Sequence, residues 1–295
     1  MHMVSTVKVA GFVFRLEGRD LGEFVKAMPF FRPFITEDGG TADFHILENI
    51  SDNEAALLQE QTRSLKPFFD VAFEDISCNF YKTGNRIVFY THEGHSGKAL
   101  WEIWEIGSDT VRMSVVRATA TIYRYALWVA FNYLLLNAKC FAIHTSANVF
   151  DGRTVIFLGE SGTGKSTHTR LLRERYPESF LLNDDSPFVR IEDDGTVMVY
   201  GGPWSGKTPC YKNENYPLQA IVRLSQAPYN KIRRLNAIES IGALLPSCPP
   251  MLNYLEETVE PLYEYVSEIL TKVPAWHLEC LPDTDAARLS HDTVL

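Results

Sequence analysis

The chain has 295 residues, 45% of them hydrophobic and 22% charged, which is enough apolar material for a sizeable core and excludes a disordered polymer of low hydrophobicity. A formal net charge of -9, with a pI near 5.4, excludes a dedicated nucleic-acid binder, because such a surface needs an excess of Lys and Arg to meet phosphates. Five widely spaced cysteines with no Cys-x-x-Cys give neither a disulfide framework nor a zinc site, so they are expected as buried thiols.

Residues 7–118 read as mostly strand. Stretches 86–91, 101–106 and 110–116 are rich in β-branched and aromatic residues, and the turn signals Thr83-Gly84-Asn85 and Gly107-Ser108-Asp109 part them as in antiparallel hairpins. Residues 52–65 interrupt this pattern with a helical spacing of Ala56, Leu57 and Leu58. From residue 119 to 137 the chain predicts a long apolar helix. Its most apolar window, 125–138, is shorter than the ~20 residues needed to cross a bilayer, so no membrane span is expected. A strand at 141–150, a turn at Asp151-Gly152-Arg153 and a second strand at 154–158 follow. Beyond them the pattern predicts a helix at 166–176 stopped by Pro177 and strands at 180–182, 187–191 and 218–224. Helices at 238–245 and 254–272 and a last strand at 276–280 complete the reading. No secretory n-region and h-region open the chain, which implies a cytoplasmic location. The division expected is a strand-rich N-terminal domain, 1–118, and a catalytic domain, 119–295.

Gly159-Glu160-Ser161-Gly162-Thr163-Gly164-Lys165-Ser166 fits the phosphate-loop pattern G-x-x-x-x-G-K-[ST], and it stands where the chemistry needs it, between a strand and a helix. Glycines allow the backbone to turn its N–H groups onto phosphate oxygens, and the helix N-terminus adds partial positive charge. Lys165 supplies a full charge to the β and γ phosphates; the Ser166 hydroxyl is placed to ligate Mg2+, with Thr167 in support. ATP or GTP with Mg2+ is therefore expected as the ligand set.

The stretch Phe180-Leu181-Leu182-Asn183-Asp184-Asp185 delivers two carboxylates 19 residues after Lys165. One of them can hold the metal while the other accepts the proton of an attacking hydroxyl. His144 ends an apolar strand and would be returned to the loop by the hairpin, although a lone histidine is as often structural. In Gly201-Gly202-Pro203-Trp204-Ser205-Gly206-Lys207, a second glycine-rich segment, Lys207 could meet the transferred phosphoryl group; a tight turn with a solvated lysine is the plainer alternative.

Four segments in this order and spacing resemble the catalytic domain of HPr kinase/phosphorylase, a group that shares its fold with phosphoenolpyruvate carboxykinase. They are Ile143-His144, the Gly-Glu-Ser-Gly-Thr-Gly-Lys-Ser-Thr loop, the apolar-Asn-Asp-Asp strand and Gly-Pro-Trp-Ser-Gly-Lys; a weaker echo covers 273–286. The resemblance implies an α/β fold, α+β overall, with a phosphoenolpyruvate carboxykinase-like core of mixed sheet and flanking helices behind the strand-rich N-terminal domain. It implies a kinase using Mg2+ and a nucleotide to phosphorylate a serine-type hydroxyl of a protein, peptide or small molecule. On that likeness His144 sits at the reacting phosphate, residues 159–167 bind nucleotide and metal, Asp184 is the base and Asp185 lies nearer the metal with Ser166. The Glu-x-Arg-Gly-Leu-Gly signature of the bacterial enzymes is missing, so HPr itself as acceptor is not implied. Carboxykinase-like phosphoryl transfer and a silent nucleotide-binding regulator are the alternatives, and a homo-oligomer is compatible with either.

Overall fold

The computed structural model describes residues 3–37, 40–115, 118–206 and 208–295; Lys207 lies outside them. It is a mixed α/β structure with two mixed sheets, and by contact the chain separates into two units. One is Met1–Ala138 with Met251–Val259, the other Lys139–Pro250 with Glu260–Leu295. No helix among the described residues is long and apolar enough to cross a membrane.

The first unit contains β1 (Val4–Val9), β2 (Phe12–Glu17), α1 (Arg19–Ala27), β3 (Phe44–Ile50), α2 (Asp52–Thr62), β4 (Phe69–Phe73), β5 (Ile76–Thr83), β6 (Arg86–Glu93), β7 (Lys98–Glu105), β8 (Thr110–Ser114) and α3 (Ala120–Leu134). Its eight strands run in the order β1-β2-β3-β8-β7-β6-β5-β4. Strand β3 is parallel to both its neighbours, and the other pairs are antiparallel. Period-two side chains supply each face with its own partner. Leu58 of α2 packs with Val88 and Ile103 on one face, while Tyr133 of α3 stacks on Trp104 at 4.9 Å on the other. Helix α3, capped by the Thr119 hydroxyl, therefore groups with this sheet rather than with the residues that follow it. Its burial on nearly every side explains why its sequence is apolar all round.

The second unit begins with β9 (Cys140–Ala142), β10 (Thr145–Phe150), β11 (Arg153–Leu158), α4 (Lys165–Arg175), β12 (Phe180–Asp185), β13 (Phe188–Ile191), β14 (Val197–Tyr200), β15 (Asn215–Gln226) and β16 (Lys231–Arg234). It continues through α5 (Ala237–Leu244) to β17 (Ala275–Cys280) and α7 (Thr284–Val294); α6 (Glu256–Lys272) begins in the segment grouped with the first unit. The strand order is β12-β10-β11-β15-β14-β13-β9, with β17 joined to β15 and β16 to β17.

The strand expected over 141–150 is two strands. Residues 140–142 pair with β13, whereas residues 145–150 pair with β11 and β12. Between them the Ile143 N–H donates to Pro187 O and the His144 N–H to Ser247 O, so the chain changes partners at the histidine. Strand β10 runs antiparallel to both β11 and β12, which makes β11 and β12 parallel and brings their C-terminal ends to the same edge. Helices α4 and α7 cover one face through Leu171, Leu172, Ala287 and Val294, packed on Val155, Phe157, Val222 and Leu224.

Candidate functional site

The phosphate loop leaves β11 at Leu158 and enters α4 at Lys165. Gly162 and Gly164 have φ of 85° and 105°, conformations that side chains with a Cβ rarely adopt. At Gly159 a Cβ would lie 2.5 Å from Thr163 Oγ1. The Thr163 hydroxyl donates to Glu160 O, closing the loop on itself. Being the first residues of α4, Lys165, Ser166 and Thr167 have N–H groups without an intrahelical acceptor, and together with the helix dipole they form an anion cradle.

The half-buried Lys165 ammonium lies 2.6 Å from Gly159 O and 3.0 Å from His144 Nε2. Burial pushes its pKa below the ordinary lysine value, and the Asp185 and Asp184 carboxylates oppose that shift. His144 Nδ1 is 3.4 Å from Asp185 Oδ1. The Lys165 contact is thus made at Nε2, and Nδ1 is the ring nitrogen that faces Asp185.

The two acids occupy different surroundings, because successive residues of a strand face opposite ways. Asp184 points to the α4 side and is 5% exposed. It accepts hydrogen bonds from the Ser146 hydroxyl and from Ser166 Oγ, the latter at 3.2 Å. Asp185 is on the other face beside His144, with its side chain 31% exposed. The Ser166 hydroxyl thus meets Asp184, whereas the expected metal pair was Ser166 with Asp185.

Residues 201–206 lie against this edge. Ser205 bridges Asp185, the Gly206 N–H donates to Asp184 O at 2.7 Å, and Trp204 is buried edge-on against Phe188. Fully buried Asn183 holds the segment: its amide donates to Gly202 O and Trp204 O, and its Oδ1 accepts from the Ser186 N–H. Close approach explains two glycines, since a Cβ at Gly206 would stand 2.6 Å from Asp184 O and one at Gly201 2.0 Å from Lys212 O.

A cavity of about 390 Å³ joins His144, Lys165, Ser166, Asp184, Asp185 and Gly206. A second, of about 560 Å³, lies on the α4 side of the loop between Gly162, Thr167, Leu224, Gln226, Cys280 and Pro282. Gln226 Nε2 donates to Gly162 O, tying the loop to the end of β15. Every expected site residue from 159 to 167, with His144, Asp184 and Asp185, therefore converges on one sheet edge.

Sequence reasoning passed over Ser146, Asn148 and Gln226. Ser146 and Asn148 are polar at alternate positions of a wholly buried strand, which is a usable signal; Arg173 Nη1 donates to Asn148 Oδ1 at 3.3 Å. Gln226 gave none, because its role depends on β15 lying beside β11.

The Ser166–Asp184 pair is a small, hard oxygen-donor set that fits Mg2+, an ion that keeps several waters and shares phosphate oxygens. Among the described residues no cluster of three or more His, Cys, Asp or Glu could hold a metal by itself. Neither protein-family models nor curated proteins match the chain. Among solved structures, the Hpr(Ser) kinase/phosphatase from Coxiella burnetii is similar over 52% of this chain and 87% of its own length, at 13% identity and a TM-score of 0.31.

Proposed function

We propose that the second unit is a nucleotide-dependent phosphotransferase that moves the γ-phosphoryl group of ATP or GTP to a serine-type hydroxyl. The observation that carries this is the convergence of a lysine-bearing anion cradle, a Ser166–Asp184 oxygen pair and a second carboxylate, Asp185, on one cavity. A glycine-rich turn that bound nothing would have no use for the acids.

The cradle and Lys165 hold the β and γ phosphates. The larger cavity on the α4 side takes the nucleoside, between Leu224 and Pro282. Ser166 and Asp184 hold Mg2+, which when bound neutralises phosphate charge. Asp185, more open than Asp184 and oriented by His144, takes the proton of the acceptor hydroxyl. The acceptor oxygen forms a bond to the γ-phosphorus as the bond to the β-phosphate oxygen breaks, and the nucleoside diphosphate leaves. This exchanges the roles first expected of the two acids, because the metal-side hydroxyl is bonded to Asp184.

Labelled-ATP transfer to free serine, serine peptides and small proteins tests the proposal, with Mg2+-nucleotide titration beside it. Wild type should bind nucleotide and transfer label, while Lys165→Ala should lose transfer by at least about 100-fold, the usual cost of deleting one charge-stabilising donor. A Lys165→Ala protein with undiminished transfer, or a wild type that binds no nucleotide, rejects the assignment.

A further inference from the structure

The acceptor's side of the site can be located from strand parity. Ser146, Phe157, Val222 and Asp184 share the α4 face, so Asp185, Leu158, Arg223 and His277 share the opposite one. Cross-strand pairing sets Leu158, Arg223, His277 and Arg233 side by side at steps of ~4.8 Å, at the edge from which the phosphate loop emerges. The nucleoside cavity lies on the α4 face and the proton acceptor Asp185 on the other. In-line transfer sets donor and acceptor on opposite sides of the γ-phosphorus, so the acceptor enters over the face that carries Arg223.

The groups nearest Arg223 on that face have partners. Arg233 makes two hydrogen bonds to Glu239, both 2.9 Å. His277 Nε2 lies 2.8 Å from Ser225 Oγ, and burial lowers its pKa. Glu279 accepts from the Tyr229 hydroxyl. Arg223 is only partly exposed, yet its guanidinium has no hydrogen bond or ion pair among the described residues. A guanidinium withdrawn from water without a carboxylate is set up for an anion supplied from outside.

Resting on the phosphotransferase reading above, we propose that Arg223, with His277 beside it, binds an anionic group of the acceptor, a carboxylate or a phosphate carried near the hydroxyl that is phosphorylated. The acceptor class is then an anionic alcohol, such as a hydroxy acid, a serine with a free carboxylate or a phosphorylated alcohol. Neutral alcohols are selected against.

The test uses the full chain saturated with Mg2+ and a non-hydrolysable ATP analogue, with nucleotide occupancy checked by calorimetry. Phenylglyoxal modification of each arginine is followed by mass spectrometry in malonate, inorganic phosphate or chloride at matched ionic strength. Malonate or phosphate should slow modification of Arg223 by about tenfold at roughly ten times its dissociation constant, and Arg233 should be unaffected. Malonate alone protecting identifies a carboxylate acceptor, and phosphate alone a phosphorylated one. The same anion should raise the melting temperature of wild type but not of Arg223→Met, which keeps nucleotide binding. Full nucleotide occupancy with no anion protection at Arg223 overturns this proposal and leaves the phosphotransferase reading standing, whereas failure to bind nucleotide removes both.

Discussion

Replacing Asn183 by alanine tests how the acidic edge is held. The side chain is fully buried, and its amide reaches Trp204 O at 2.9 Å and Gly202 O at 3.2 Å, with Cys210 O at 3.5 Å; its Oδ1 accepts from the Ser186 N–H at 3.0 Å. Two amide hydrogens can serve two of those carbonyls at a time, so alanine removes three good bonds. At about 1 kcal/mol each, and more for any group left dry, the expected loss is about 3 kcal/mol, or roughly 6–12 °C in Tm for a unit of this size. Asn183→Asp keeps the shape but turns an oxygen toward the carbonyls that need a donor, and should be at least as destabilising. Urea unfolding at pH 7, followed by tryptophan fluorescence, measures both, and proteolysis of the 201–214 segment should accelerate in step. An Asn183→Asp protein within about 0.5 kcal/mol of wild type would refute the donor role, since surface-like tolerance is incompatible with it.

Asp184→Asn should raise the Mg2+ concentration needed for half-maximal transfer, while Asp185→Asn should lower the maximal rate at saturating Mg2+ with little change in that midpoint; the opposite split in a magnesium titration restores the roles first expected and refutes the exchange. Gly206→Ala places a methyl 2.6 Å from the backbone oxygen of Asp184, so the segment must move. A cost of about 1–3 kcal/mol in unfolding and a fall in transfer are expected, and neither should follow at Gly242, where a Cβ meets nothing within 4 Å. His168 is buried, 2.9 Å from Ser290 Oγ, and burial pushes its pKa down to about 4. The unfolded ring, near its ordinary ~6.5, binds more protons than the folded one between these values. Its contribution is therefore complete above about pH 6.5 and is lost as pH falls toward 4, by up to about 3 kcal/mol. His168→Gln should flatten that slope in urea unfolding at pH 7 and 4.5, and an unchanged slope would count against a neutral buried ring.

Local chemistry made much of the site legible. Residues 159–166 declare themselves because an anion cradle needs glycine, lysine and a hydroxyl at fixed offsets, and the strand expected before them and the helix expected after them match β11 and α4 closely. Aromatic and β-branched alternation likewise marked β6, β7 and β8, and poor strand propensity marked α2. Position in the sheet was not written locally. Nothing in residues 141–150 says that pairing changes partners at His144, because the cause is Pro187 O and Ser247 O, far along the chain. Short, polar β16, Lys231–Arg234, escaped because its residues read as loop and only β17 makes it a strand. The distinct surroundings of Asp184 and Asp185 follow from which face α4 covers, which adjacency in sequence cannot reveal.

The tight connection between β10 and β11, at Asp151 and Gly152, sits at the end of the hairpin remote from His144 and Gly159. Severing the polypeptide there would give His144 and Ser146 to one fragment, and the lysine loop with both carboxylates to the other. Neither piece could assemble the candidate site by itself, but insertion of β10 between β11 and β12 would rebuild it. The fold thus contains a natural seam at which the proposed transfer can be made conditional on two fragments meeting.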